Sequence, residues 1–417
     1  MGGTIRPVCF LIALAWLATA GTATAQSPPI KIGYSMSLTG GLASGGRQAA
    51  LVYDMWADEV NEHGGLLGRK IAMIKYDDQS TPSTVPGIYS KLLDVDQVDF
   101  VLSGYGTAMT AAAMPAVMQR KKLFLSLFAL AANDQFRYDR YFQMLPSGPD
   151  PKVEFSRGYF ELAAALVPRP QTVAIVGADA EFSALAVEGA RLNASKHGFR
   201  IVYDRTYPPN TVEFGPVVRA IKATSPDLVY IASYPPDSLG MIRAVHEVGL
   251  GATMLGGDMI GLQFAQLKTQ LGSLLNGIVA YDLYVPEPTM KFPGVEQFLN
   301  RYRQRAAAAG VDPLGHYLAP YAYAEMQVLE AAVKAVGSLD DAKLADHIHR
   351  STFDTIVGPI TFGNRGEWAE PRILFVQYQG VQGGDAEQFK QAGRAVILHP
   401  SQLRSGELRV PYEPMKH

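Results

Sequence analysis

From Ile30 onward the chain alternates short β-rich runs with amphipathic helical stretches, and few folds accommodate that alternation. Repeated strand–helix–strand units build open parallel sheets with helices on both faces. Residues 30–36, 70–76, 98–103 and 122–127 read as strands, with helical patterns between them at 43–62, 82–94 and 108–119. The segment Leu145-Pro146-Ser147-Gly148-Pro149-Asp150-Pro151 then breaks the rhythm with three prolines and a glycine, as a crossing between lobes would. Beyond it the pattern resumes, with helices at 153–166, 180–197, 212–223 and 238–247 and strands at 172–176, 200–206, 228–232 and 253–255. After Gly277 comes an extended stretch to Val285, then helices at 295–309, 318–336 and 341–350 and β-rich segments at 352–362 and 372–378. These late helices have no alternating strands to pack on. They bury best if the chain returns to its first lobe and then crosses back. The expected division is a first lobe of 26–146 and 281–368 and a second of 147–280 and 369–417.

The chain has 417 residues. Its first 25 have the layout of a secretory signal: Arg6, an apolar stretch from Val8 to Ala20, and Ala23-Thr24-Ala25 before Gln26. The apolar stretch is short of the roughly 20 residues that span a bilayer, so it reads as cleaved after Ala25, with a periplasmic product. The single cysteine, Cys9, lies inside this segment behind Arg6-Pro7-Val8, which is no lipobox. The expected mature protein is therefore not a lipoprotein and carries no thiol. Roughly 390 residues remain, enough for two large lobes and too many for one core.

A formal charge of −2 and the lack of a Lys/Arg stripe argue against a nucleic-acid partner. Catalysis finds no support. Gly41 to Gln48 has a glycine-rich look, but Arg47-Gln48 stands where a phosphate loop needs Lys-Ser/Thr. His347 and His349 come without a metal-binding set. Asp77-Asp78 reads as a strand-end loop pair, and no Ser-His-Asp or Cys-His order is present. No enzyme activity, cofactor or metal is expected.

Lys31-Ile32-Gly33 with Ser37-Leu38-Thr39-Gly40, then 60–70 (VNEHGGLLGRK), Tyr76-Asp77-Asp78, Val173-Ala174-Ile175-Val176, Pro226-Asp227-Leu228-Val229-Tyr230 and Val357-Gly358-Pro359-Ile360-Thr361-Phe362 follow one another at set distances. In these segments, spread over nearly its whole mature length, the chain resembles the leucine/isoleucine/valine-binding family of periplasmic proteins. The resemblance implies the type I periplasmic binding protein fold: two Rossmann-like α/β lobes with parallel central sheets, joined by a three-crossing hinge. It also implies a monomeric binding component of an ABC importer, holding a small organic solute in the interlobe cleft and delivering it to the permease membrane subunits. A receptor of the same fold that signals to a membrane sensor is the alternative.

Matched position by position, the resemblance implies a ligand site with departures from the amino-acid-binding pattern. Thr107 falls at a serine whose hydroxyl holds the ligand carboxylate, although a threonine there also suits a helix N-cap. Phe128 and Ala129 fall at backbone groups holding the same carboxylate, and Leu130 replaces a threonine hydroxyl. Tyr234 matches a tyrosine that closes over the ligand. Phe182 replaces a tyrosine that contacts the ligand ammonium. Asp258 replaces a glutamate that pairs with the ammonium, and as a residue after two glycines it also suits a turn. Ser44 stands at an aromatic position. With Tyr105, Phe128, Phe182 and Tyr234 the cleft is more aromatic and less suited to a zwitterion. An unmatched buried ammonium costs several kcal/mol, so an aromatic or aliphatic carboxylate, or an amide, stands beside an apolar amino acid as expected ligand.

Overall fold

The computed structural model describes residues 1–4 and 27–412, and the expected signal segment with its cleavage point lies almost wholly outside the described residues. The first sheet is built from β1 (Ile30–Met36), β2 (Ile71–Asp77), β3 (Phe100–Leu102), β4 (Phe124–Ser126) and β5 (Tyr141–Gln143), in the order β2-β1-β3-β4-β5 with every pairing parallel. Between them run α1 (Ala43–Glu62), α2 (Val85–Ser90), α3 (Thr107–Gln119) and the single turn α4 (Asn133–Phe136). Parallel strands covered by helices are largely buried, and in β1 the alternating Ile30, Ile32, Tyr34 and Met36 put one fully buried face into the core.

The chain crosses at 144–150 into α5 (Pro151–Ala164) and builds the second sheet. Its elements are β6 (Thr172–Ala178), α6 (Glu181–Lys196), β7 (Arg200–Tyr207), α7 (Gly215–Ala223), β8 (Leu228–Ser233), α8 (Pro235–Val248), β9 (Met254–Met259), α9 (Ala265–Leu271) and β10 (Val279–Asp282). Their parallel order, β7-β6-β8-β9-β10, repeats that of the first sheet.

After β10 the chain returns to the first lobe for α10 (Val295–Ala309), α11 (Ala319–Val336), α12 (Asp341–Arg350) and the hairpin β11 (Thr352–Thr355) and β12 (Gly358–Thr361). Side chains of α1 hold this return segment. The buried Gln48 carbonyl accepts from the N–H groups of Leu318 and Ala319 at 2.7 and 2.9 Å, capping the start of α11. Trp56 donates its indole N–H to Glu330 at 2.9 Å, and Tyr53 donates to the buried Glu325. A final crossing leads back to β13 (Leu374–Tyr378) and β14 (Ala395–His399), which extend the second sheet antiparallel beyond β10. Three-residue β5 and the late β14 have no counterpart in the sequence reading, because strands this short or isolated show no period.

The first and last crossings are tied together. Gln143 N–H donates to the Gly366 carbonyl and Arg372 N–H to that of Pro146, both at 2.8 Å. Gly366 has φ +80°, and a Cβ there would stand 1.7 Å from the Tyr141 carbonyl oxygen, so only glycine allows the strands of the hinge to close up. Among the described residues no helix is long and apolar enough to cross a membrane.

Candidate ligand site between the lobes

Both parallel sheets direct the loops that follow their strands toward one gap, the usual place for a ligand in open α/β sheets. The gap contains a small cavity of about 40 Å³. Its first-lobe wall is Leu42, the N-terminal turn of α3 with Tyr105 and Gly106 before it, and Phe128 and Leu130 from the loop after β4. Leu145 of the hinge, Tyr317 of the return segment, and Phe155, Phe182, Tyr234, Ile260 and Tyr281 of the second lobe complete it. No acidic, basic or histidine side chain lines this cavity among the described residues.

The polar groups are few and well placed. The first N–H groups of any helix lack intrahelical partners and carry the positive end of its dipole. At α3 the N-cap is Gly106, with φ 103°, and no side chain among the described residues caps the helix, so Thr107, Ala108 and Met109 bring that end to the cavity wall uncovered. The Thr107 hydroxyl accepts from Leu130 N–H at 3.0 Å. It therefore ties the β4 loop to α3 instead of capping its own helix, and its proton stays available to an acceptor. Phe128 has φ +55°, which turns the loop back over the site, and its ring meets Tyr317 at 5.2 Å between centroids.

The corresponding helix end in the second lobe is already occupied. Tyr234, at the N-cap of α8, accepts from the Phe182 N–H in the first turn of α6 at 3.2 Å. Rings continue from there, Tyr234 to Phe182 at 5.9 Å and Phe182 to Phe155 at 5.7 Å in edge contacts, and Phe155 to Tyr281 at 4.9 Å with the planes tilted by 51°. The belt crosses the cleft where the hydroxyls of Tyr281 and Tyr317 share a hydrogen bond of 2.5 Å. Burial pushes the pKa of Tyr105, Tyr281 and Tyr317 well up, so all three hydroxyls keep their protons.

Of the residues expected at the ligand, Tyr105, Thr107, Phe128, Leu130, Phe182 and Tyr234 come together on the cavity wall. Ala129 is buried but is not part of that wall. Ser44 stands at the outer mouth of the cleft, where its hydroxyl meets the Gln266 side-chain oxygen of the second lobe at 3.2 Å. Asp258 does not face the cavity either. It lies within β9, fully buried, and takes a hydrogen bond from Tyr230, a ring that stacks on Phe160 of α5. Strand alternation has turned this carboxylate onto the face of the sheet under α5, and burial raises its pKa well above the usual range.

Tyr281 and Tyr317 escaped the sequence reading. A signal for Tyr281 existed, since the extended stretch 277–285 was legible and its end had to reach the cleft. Nothing in the local pattern marks Tyr317.

At the mouth a wider space of about 590 Å³ separates the start of α1 from α9. There Asp312, from the return segment, accepts from Ala265 N–H at the start of α9 at 2.7 Å, a hydrogen bond from one lobe to the other.

Comparison with known proteins agrees with this architecture. Residues 29–385 match the family model described as periplasmic binding protein. A Leu/Ile/Val-binding protein homolog of Brucella suis is 24% identical over 422 residues, covering 96% of this chain and 99% of the relative. Among solved structures, a solute binding protein of an R. palustris ABC transporter, in complex with 4-hydroxybenzoate, superposes with TM-score 0.73 at 19% identity, covering 88% of this chain and 95% of that one. A branched-chain amino acid transporter substrate binding protein of Streptococcus pneumoniae, in complex with isoleucine, gives TM-score 0.72 at 16% identity over 88% of this chain and 99% of that one.

Proposed function

From the premise that the chain belongs to the periplasmic binding protein family, one of binding proteins and not enzymes, we propose that its cleft binds a small aromatic or apolar monocarboxylate for delivery to an ABC permease. One observation carries the reading: a cavity lined by rings and, among the described residues, by no charged side chain, against which an uncapped helix N-terminus stands. The N–H groups of that turn and the Thr107 hydroxyl would hold a carboxylate, while the rings would enclose its body. The same wall would serve an amino acid poorly. With Asp258 turned away under Tyr230, an α-ammonium would lose its water without gaining a counter-charge, a cost of several kcal/mol. Comparison supports both ligand classes at the level of the fold, isoleucine in one similar protein and 4-hydroxybenzoate in another. The chemistry of the wall favours the second.

A cavity of about 40 Å³ accepts a flat ring only as side chains give way or the lobes part slightly, and it disfavours sugars and peptides. A ligand touching both walls stabilises the closed arrangement because only closure completes its contacts, and that closed face is what a permease would recognise. The test is a thermal-shift and calorimetric screen of the mature protein against benzoate, 4-hydroxybenzoate, benzamide, leucine and isoleucine, since a ligand that binds only the folded state raises its apparent stability. Benzoates should give the largest shifts, with benzamide well below benzoate. Large shifts from leucine or isoleucine with none from the benzoates would refute the reading.

A further inference from the structure

We propose that the hydroxyls of Tyr105, Tyr281 and Tyr317 form a second polar pole of the cavity, which reads an oxygen substituent on the ring of the bound acid, and that Tyr105 sets this specificity. The inference rests on the aromatic-acid reading above. Its starting point is a group that the protein itself leaves unsatisfied. The Tyr105 side chain lines the cavity with only 2% of the residue exposed; its hydroxyl faces that of Tyr317 closely enough for the two to interact, but it makes no hydrogen bond of good geometry among the described residues. A buried hydroxyl left unmade costs about 1–3 kcal/mol, and phenylalanine would fill the same space without that cost. The buried hydroxyls of Tyr34 and Tyr141 also lack a partner among the described residues, but of the three only Tyr105 belongs to the cavity wall, where a ligand can supply one.

Tyr105 has little freedom to find one within the protein. Its ring packs against α1 at Gly45, where an added Cβ would stand 2.6 Å from Cε1 of Tyr105 and 2.6 Å from Cδ1 of Leu318. On another side the Tyr317 ring meets it edge-on, with centroids 6.5 Å apart and planes at 80°. The position of Gly45 thus permits the ring, and Leu318 and Tyr317 hold it.

The three hydroxyls together offer three protons, and a tyrosine hydroxyl both donates and accepts. The Tyr281–Tyr317 bond consumes one proton. Two donors and several lone pairs remain, a set suited to a phenol, which likewise gives and takes a hydrogen bond. The α3 turn, by contrast, presents backbone N–H donors, a set suited to an anion. The cavity therefore has two chemically different ends. The hydroxyl pole is also divided between the lobes, since Tyr281 belongs to β10 of the second and Tyr105 and Tyr317 to the first. A ring oxygen bound there would be fully paired only on closure, which couples recognition of the substituent to the closed state.

The experiment measures the dissociation constants of 4-hydroxybenzoate, 3-hydroxybenzoate and benzoate by calorimetry for the wild-type protein and for Tyr105→Phe and Tyr317→Phe. The wild type should prefer one hydroxylated acid over benzoate, and Tyr105→Phe should cut that preference about tenfold, the usual scale for one hydrogen bond read in a closed site. Tyr317→Phe should cut the same ratio, which keeps the test decisive if one variant fails to fold. Equal weakening of hydroxylated and plain acids would mean that the hydroxyls hold the carboxylate or only the fold, and would overturn the inference. A wild type that binds benzoate as tightly as both hydroxybenzoates overturns it while leaving the aromatic-acid reading standing. A wild type that binds none of the three overturns both.

Discussion

Replacing Asp312 by alanine removes a hydrogen bond that joins the two lobes. The Asp312 carboxylate makes three bonds: to Ala265 N–H across the cleft at 2.7 Å, and to Leu314 and Gly315 N–H within its own loop at 2.9 and 3.1 Å. The two local bonds persist whether the lobes stand together or apart, so only the first bears on closure. A hydrogen bond to a charged acceptor contributes about 1.5–3 kcal/mol, and the loss of a helix-capping side chain about 1 kcal/mol. Water recovers part of this at the open mouth, which leaves about 1–2 kcal/mol, or roughly 5–30-fold in the balance of closed over open. Where the open state dominates, the apparent dissociation constant of the ligand rises by the same factor. Calorimetry with the tightest ligand from the screen reads that change, and small-angle scattering of the ligand-free protein should show a larger radius for the variant. Asp312→Asn keeps an accepting oxygen without the charge and should fall between the two. Unchanged affinity, within twofold, in an Asp312→Ala protein that still unfolds cooperatively would refute the claim that this bond favours closure.

Thr107→Ala leaves the buried Leu130 N–H without its acceptor; stability should drop by about 1–3 kcal/mol and affinity for the best acid should fall, with Thr107→Ser restoring both, and a variant that keeps wild-type affinity removes Thr107 from the site. Gly366→Ala forces a side chain into φ +80° and against the Tyr141 carbonyl, so the urea midpoint should fall by an amount worth about 2–4 kcal/mol; an unchanged midpoint would show that the hinge yields freely. Burial pushes Glu325 up to about 8, against an ordinary value of 4.5. Between those values the folded protein keeps a proton that the unfolded chain releases, so stability falls as pH rises from 4.5 to 8, by at most about 1.4 kcal/mol per pH unit. Asp282, raised to about 6 by burial, adds a slope of the same sign up to that pH. Glu325→Gln mimics the protonated acid and should flatten the decline above pH 6 in urea titrations; an unaltered slope would mean that Glu325 is ionised in the fold.

Much of the architecture was legible along the chain. The helical periods at 43–62, 295–309 and 341–350 coincide with α1, α10 and α12, because each helix carries its own 3.6-residue stripe and needs no distant partner to show it. The prolines at 146, 149 and 151 likewise announced a crossing by local backbone restriction. Thr107, Phe128 and Tyr234 were found by their place in a sequence pattern, which marks positions on loops but not the direction of a side chain.

Direction is where tertiary structure decided. Asp258 is in the expected strand, but the face it takes depends on the register of β9 beside β8, where Ala232 pairs with Asp258 and Tyr230 reaches over to take its carboxylate. Ser44 is displaced to the mouth because α1 starts there. The meeting of Tyr281 with Tyr317 depends on the crossing after β10, which carries the chain back to the first lobe between them. Secondary structure and family resemblance are properties of neighbours along the chain, and sequence alone carried them. The tyrosine-rich character of the cavity arises only when both lobes and the return segment contribute to one wall, since contacts between residues far apart in sequence form only when the fold brings them together.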